Sequence, residues 1–438
     1  MDIRDQVQDK MAAHVLTVRD IILLVSIRVG KTRVALKAIE AGDSVLVVYP
    51  LLDVKKSWEE ELMKFIPLST NITFTTKNSL HKYRNRYFDF VIVDEPQLCQ
   101  SANQIASLRT ITYRKRVGLT GTLSDKTKKK FETLLNWKVG LTYTIADAIK
   151  DKLVKDYEIF VHYIDLDKRD AMPFEQFGRT FYGTEDSVYT HYTEQMVEAE
   201  AKKLLAMEDG DSQEIGKWTA IFKKYMSLRT NFLYNSPTLL NYTQRLIKKF
   251  ETDKLLIYTL RTDIADQLSS VSYHSKNKEE EVLAQFKEST EGHMAVVNCV
   301  QAGVTIKGLH KVIFHSYESN TETLHQKLGR SLLYEFAGQK SQIHIACLKG
   351  TQMELWVDKA CRSLEQHKIN YIFQGKIYNK LTWIKSLHPD KELYIYNGSV
   401  VFFSHIEDGY SGFPFRHYKF LENPVKSYAL PTTKMVRL

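Results

Sequence analysis

Short apolar runs alternate with stretches of helical period through the first third of the chain. Residues 21–25 (IILLV) are continuously apolar, and after a polar turn Val34, Ala35, Ala38 and Ile39 recur at helical spacing. Residues 44–49 (SVLVVY), closed by Pro50, are the β-branched run expected of a strand buried on both faces of a parallel sheet. A helix then carries Trp58, Leu62 and Phe65 on one face, and residues 72–75, 88–93 and 116–119 supply three more strands. Ahead of them all, residues 5–18 read as an amphipathic helix. Strands alternating with helices predict a doubly wound α/β domain, whose ligand sits at the carboxyl edge of the sheet.

The alternation resumes in the second half. Residues 254–259 (KLLIYT) predict a strand, Asp263, Ala265 and Leu268 open a helix, and residues 294–298 and 311–315 add two strands. An insertion over residues 169–229 separates the halves. Its residues 194–208 are strong helix formers with an apolar stripe, broken by Gly210-Asp211. Beyond the break, Lys217-Trp218 and Phe222-Lys223-Lys224-Tyr225 interleave cations with aromatics. Such a segment is either a clamp that grips nucleic acid by phosphate contact and stacking, or a helical spacer whose aromatics are core. From Ile369 onward aromatics are dense, and residues 392–403 read as a β-hairpin about Asn397-Gly398. The predicted organisation is a first lobe at 1–160, a linker and helical insertion at 161–235, a second lobe at 236–368, and a small aromatic, β-rich extension at 369–438. A chain of 438 residues exceeds one comfortable core, in keeping with this division.

The loop after residues 21–25 contains Gly30-Lys31-Thr32. Backbone N–H groups at a helix N-terminus hold phosphate oxygens, a lysine there reaches the outer phosphates, and a threonine hydroxyl can ligate Mg²⁺. The full phosphate-loop pattern has another glycine five residues before Gly30, where this chain has Val25. The strand at 88–93 ends in Asp94-Glu95. Adjacent carboxylates at a strand end can serve a metal-bound nucleotide and an attacking water. An acidic pair can also cap a helix, but its coupling to Gly30-Lys31-Thr32 favours the nucleotide.

Charge and cysteine usage narrow the picture further. Lys plus Arg number 61 against 52 Asp plus Glu, a formal +9 that suits a polyanionic partner without demanding one. The four cysteines include no C-x-x-C pair, which argues against a zinc site or a disulfide framework. No apolar run has transmembrane length and residues 1–10 lack a signal pattern, so an intracellular protein without a membrane partner is expected. The run Lys126, Lys128-Lys129-Lys130 is a solvated face or a phosphate contact.

In order along the chain, Gly30-Lys31-Thr32, Asp94-Glu95-Pro96-Gln97, Thr120-Gly121-Thr122, Ala302-Gly303-Val304-Thr305-Ile306 and Gln326-Lys327-Leu328-Gly329-Arg330 resemble the motif set of superfamily 2 helicases and translocases. Tyr49-Pro50-Leu51-Leu52 with Trp58-Glu59-Glu60-Glu61-Leu62 is similar to the Swi/Snf-like branch. Ala148-Ile149 followed by residues 153–159 is similar to the crossover between motor lobes in phage and repair-type members, a likeness that implies the cytoplasm of a host cell if the protein is phage-encoded.

The resemblance implies two tandem RecA-like P-loop lobes. It implies an ATP-dependent, Mg²⁺-dependent motor on duplex, forked or branched DNA, with RNA as the alternative substrate. Catalysis is expected of Lys31, Asp94, Glu95, Gln326 and Arg330. Nucleotide binding is expected of Arg28, Val29, Gly30, Lys31, Thr32, Arg33 and Gly303, and metal binding of Thr32 and Asp94. Nucleic-acid contacts are expected at Pro50, Thr75, Thr76, Thr120, Thr122, Thr259 and Thr305. One departure stands out: the family's final arginine, three residues after Arg330, is Leu333. Arg330 alone, or Arg28 or Arg33 beside the phosphate loop, then carries the role, or the chain is a weakly hydrolysing, nucleotide-gated DNA-binding module. Gln6 and Gln8 lack the neighbouring aromatic of an adenine-reading glutamine. A monomer is compatible with the sequence, which leaves the oligomeric state open.

Overall fold

The continuous apolar runs lie on strands covered from both sides. β1 (Asp20–Val25), β2 (Ser44–Tyr49), β3 (Asn71–Thr76), β4 (Tyr87–Asp94), β5 (Thr112–Thr120) and β6 (Val139–Tyr143) form a parallel sheet in the order β3-β2-β4-β5-β1-β6. Alternate residues feed two cores. Ile21, Leu23, Val45, Val47, Phe90 and Ile92 pack on one face with Val34, Ala35 and Trp58. Ile22, Leu46, Val48, Val91 and Val93 pack on the other with Ile105, Leu108 and Phe131. Because every strand pair is parallel, the carboxyl ends of the strands share one edge. The computed structural model describes residues 2–50, 52–65, 71–176, 178–277, 279–297, 306–317, 324, 327–329, 331–334, 339–362, 364–396, 399–408, 414–420, 423–429 and 435–437.

Helix α1 (Ile3–Thr17) starts at Asp2, whose side chain accepts from Arg4 N, and buries Gln8, Met11, Ala12 and Val15. It packs against α2 (Lys31–Lys37), which follows the phosphate loop, and α3 (Leu52–Phe65) lies beyond. α4 (Ala102–Thr110), α5 (Asp125–Leu135) and α6 (Ile145–Lys150) complete the first lobe.

The chain then departs from the expected boundary at 160. β7 (Tyr157–Ile164) runs across it and belongs to the second sheet, pairing in parallel with a strand almost two hundred residues later. The insertion begins as a hairpin, β8 (Met172–Gln176) and β9 (Arg179–Gly183), and continues as an antiparallel pair, α7 (Glu185–Glu208) and α8 (Ser212–Tyr234), with Asp211 capping α8. Tyr225 is buried against Val188 and Tyr192, Trp218 donates to Glu214 Oε2 at 2.7 Å, and Lys202 and Lys203 lie over Trp218 and Phe222. These aromatics serve the packing of the helix pair.

The second sheet adds β10 (Lys254–Thr259), β11 (Ser272–Tyr273), β12 (Gly292–Val297), β13 (Lys311–Phe314), β14 (Ser341–Leu348), β15 (Ile369–Phe373) and β16 (Lys376–Tyr378). Its order is β11-β12-β10-β13-β14-β7-β15-β16, parallel except for the last pair. The expected extension boundary at 369 therefore falls at the start of a second-lobe strand. Tyr371 and Trp383 stack with Tyr163 of β7, Trp383 at a centroid distance of 4.5 Å, so the aromatics that mark this stretch are core. The separate extension is the antiparallel sheet of β17 (Leu393–Tyr396), β18 (Ser399–Asp408), β19 (Pro414–Phe420), β20 (Asn423–Ala429) and β21 (Met435–Arg437). Its first hairpin is the one expected, with Asn397-Gly398 outside the described residues.

Candidate active site

The phosphate loop leaves β1 at Val25 and enters α2 at Lys31 through two residues of left-handed backbone, Arg28 (φ 69°) and Gly30 (φ 92°). Glycine is favoured at position 30 by its backbone, and a side chain there would also displace the Gln8 amide. Its φ is costly for any L side chain, and an added Cβ would lie 2.5 Å from Gln8 Nε2. Gln8 is buried and donates to Val29 O at 2.7 Å, so α1 braces the loop from behind. Arg4 joins that brace, donating to Arg28 O at 3.1 Å and to Leu153 O, in the segment leading to β7, at 3.0 Å. Thr32 and Arg33 open α2 half-buried, and Arg33 lies 3.5 Å from Asp5.

The two carboxylates at the end of β4 meet different surroundings. Glu95 Oε1 is 2.9 Å from Lys31 Nζ. Its Oε2 accepts from Gln97 Nε2 at 2.6 Å and lies 2.9 Å from Thr120 Oγ1, whose single proton is shared with Thr122 O. Burial pushes the Glu95 carboxyl up, but the Lys31 charge and the bonds from Gln97, Lys31 and Thr120 outweigh it and hold the group below its ordinary range. Asp94 accepts from Trp58 Nε1 at 3.1 Å and from the backbone N–H of Glu95. Burial and the adjoining Glu95 charge push its carboxyl up to about 6. Neighbouring acids whose affinities for protons are driven apart are a recurring feature of hydrolytic sites.

The donor set fits a magnesium nucleotide. A threonine hydroxyl and a carboxylate are hard oxygen donors, and Asp94 is a carboxylate whose ionisation a neighbouring cation would favour. Among the described residues, no group of three or more His, Cys, Asp or Glu side chains could enclose a metal by itself. Mg²⁺ typically takes one or two protein carboxylates and leaves its remaining positions to phosphates and water.

The second lobe reaches this loop at Gly329. A Cβ there would lie 2.2 Å from Ile27 Cδ1, and Gly329 O accepts from Arg28 Nε at 3.1 Å. Lys327 is buried with its ammonium over Tyr258 and Phe314. Leu333 forms an isolated bridge with Val154, and Leu332 O accepts from Lys155 N at 3.1 Å, so the missing arginine's position is taken up in contact with the crossover segment. Gln326, Arg330, Gly303 and Thr305 lie outside the described residues.

The expected nucleic-acid residues cluster at strand ends. Pro50 follows β2, Thr75 and Thr76 end β3, Thr120 ends β5 and Thr259 ends β10. Pro50, Thr75, Thr120 and Thr259 are buried, and the Thr75 and Thr259 hydroxyls bond within their own turns; Thr76 and Thr122 are half-buried. Of the lysine run, Lys128 pairs with Asp125 and Lys130 donates to Gln100 O, leaving Lys126 and Lys129 exposed.

Sequence reasoning missed Trp58, Gln97, Arg4 and Gly329 as site residues. Trp58 and Gln97 stood inside quoted motifs, but nothing in their spacing said that their polar ends would face Asp94 and Glu95. Arg4 carried no signal.

No protein-family model matches the chain. The helicase domain of Hef from Pyrococcus furiosus superposes with a TM-score of 0.51 at 10% identity, over 81% of this chain and 98% of that one. The two chains share a fold. The Type ISP restriction-modification enzyme LlaBIII, solved bound to DNA, gives a TM-score of 0.53 at 12% identity, over 84% of this chain and 30% of that chain. In sequence, the chain is 22% identical over 358 residues to the DNA 3'-5' translocase XPB2 of Sulfurisphaera tokodaii, covering 76% of this chain and 79% of the relative. The phage character expected from the crossover segment has no counterpart among these proteins.

Proposed function

We propose that the chain is an ATP-dependent DNA translocase or helicase, working inside the cell on duplex or branched DNA. One observation carries the reading: the phosphate-loop lysine and the β4 carboxylates meet at the edge of the first sheet that the second lobe closes, through Gly329. The XPB2 likeness supports DNA as the track, and among the described residues no helix is long and apolar enough to cross a membrane.

Bound MgATP would supply the transferable phosphoryl group and the metal charge that stabilises its transfer. Lys31 must leave Glu95 to meet phosphate oxygens, which frees Glu95 to orient water and accept its proton. Gln97 and Thr120 keep the Glu95 carboxylate aimed during that exchange. Thr32 and Asp94 would hold the metal, and Trp58 fixes the Asp94 rotamer. Arg330 and Gln326 would close the site from the second lobe. Opening and closing about residues 153–156 would move strand-end contacts on the two lobes relative to one another. Phosphate contacts of this kind position the protein without reading sequence.

A weakly hydrolysing DNA-binding module is the second reading, favoured by Leu333 lying against Val154 where the resemblance implies arginine. Phosphate release measured with duplex DNA, single-stranded DNA and RNA at fixed salt tests both. Strong stimulation by duplex DNA supports the translocase; stimulation by RNA alone would reassign the track. Turnover that stays low with every nucleic acid, and rises on Leu333→Arg, supports the module.

A further inference from the structure

Arg28 occupies a position that the loop builds for glycine. Its φ of 69° is left-handed backbone, costly for a long side chain, yet Arg28 is part of the loop that must wrap phosphate. The strain is held by α1: Arg4 binds the Arg28 carbonyl, and Gln8 binds the next one, Val29 O. The side chain spans the cleft, its Nε 3.1 Å from Gly329 O. Gly329 can approach this closely because it lacks a Cβ, which would overlap Ile27. The contact is thus fitted on both walls, and its acceptor is a neutral carbonyl. A phosphate oxygen is the stronger acceptor, since bonds from guanidinium to an anion are roughly twice as strong as neutral ones.

We propose that Arg28 is a positioning residue that couples the lobes to nucleotide occupancy: it ties the loop to Gly329 when no triphosphate is bound and transfers to phosphate when one is. The inference rests on the nucleotide reading of this site. Arg28 supplies on the first lobe a cation that the family pattern places on the second, at Leu333. Nucleotide binding would then release the second-lobe segment at Gly329 and let it re-dock, instead of merely filling a passive cleft.

Arg28→Gly separates this role from a structural one, because glycine relaxes the backbone. The variant is expected to melt no lower than wild type. Dyes on cysteines placed at Asp125 and Ser275, exposed on the first and second lobes, report the interlobe distance. Without nucleotide, Arg28→Gly should show lower transfer efficiency than wild type. It should also bind the non-hydrolysable analogue adenylyl imidodiphosphate with Mg²⁺ about tenfold more weakly, the loss of one charge-assisted bond. Arg28→Lys should fall between the two. Unchanged transfer efficiency, or analogue affinity within about twofold of wild type, overturns the role of Arg28. If wild type binds no analogue, the nucleotide reading itself falls, a different result from binding that Arg28→Gly leaves untouched.

Discussion

Asp94→Asn should stabilise the nucleotide-free protein while abolishing its hydrolysis. The Asp94 carboxyl is raised from an ordinary 3.8 to about 6, so above pH 6 the fold holds an ionised group that it disfavours. A shift of about 2 pK units at about 1.4 kcal/mol each sets a ceiling near 3 kcal/mol at pH 7.5. The side chain keeps some contact with solvent, so the realised gain is smaller. The sign follows from proton uptake. Between pH 3.8 and 6 the folded protein binds the proton more tightly than the unfolded chain, so the penalty grows as pH rises and is complete above the folded pKa. Asparagine carries no charge and can still accept from Trp58 through its amide oxygen. In metal-free buffer at pH 7.5, thermal melts should place Asp94→Asn about 3–6 °C above wild type, and the gap should roughly halve by pH 5. Phosphate release should fall at least about a hundredfold. A lower melting temperature for Asp94→Asn at pH 7.5, or a gap that ignores pH, would refute the claim that this carboxylate is held ionised against the preference of its surroundings.

Trp58→Phe removes the side-chain donor to Asp94 and should cost about 1–3 kcal/mol, with the acid limb of the pH–rate profile moved to higher pH; an unmoved limb would contradict the assignment. Gly329→Ala places a methyl against Ile27, so analogue binding should weaken while the melting of each lobe is preserved, as calorimetry would show. Burial lowers His162 and His315 to about 4, so acid should selectively destabilise the second lobe as pH falls from about 6.5 toward 4. His162→Gln should flatten that dependence in pH-resolved melts, and an identical slope would count against it.

The sequence pattern captured those parts of the fold that rest on local signals. Largely apolar runs marked β2, β4 and β10, because strands covered on both faces leave little polar alternation. The path of β7 was invisible, since its place between β14 and β15 depends on pairing across the whole insertion. The aromatic-rich stretch after Ile369 misled for a related reason: Tyr371 and Trp383 complete a core whose other wall, Tyr163, is distant in sequence. At the candidate site, residue type and spacing singled out Lys31, Asp94 and Glu95, and the fold brings Lys31 and Glu95 within 2.9 Å of each other. Trp58, Arg4 and Gly329 act through shape and reach across the fold, which spacing alone does not encode. Arg28 was legible as a cation near the loop, but its left-handed backbone and its bond to Gly329 O were not.

ATP-driven movement along DNA is the central claim, and third-strand displacement from a DNA triplex measures it directly. Wild type with ATP and Mg²⁺ should release the third strand, and Lys31→Ala, or wild type without ATP, should not. Wild type that hydrolyses ATP on duplex DNA yet leaves the triplex intact at every concentration would contradict it.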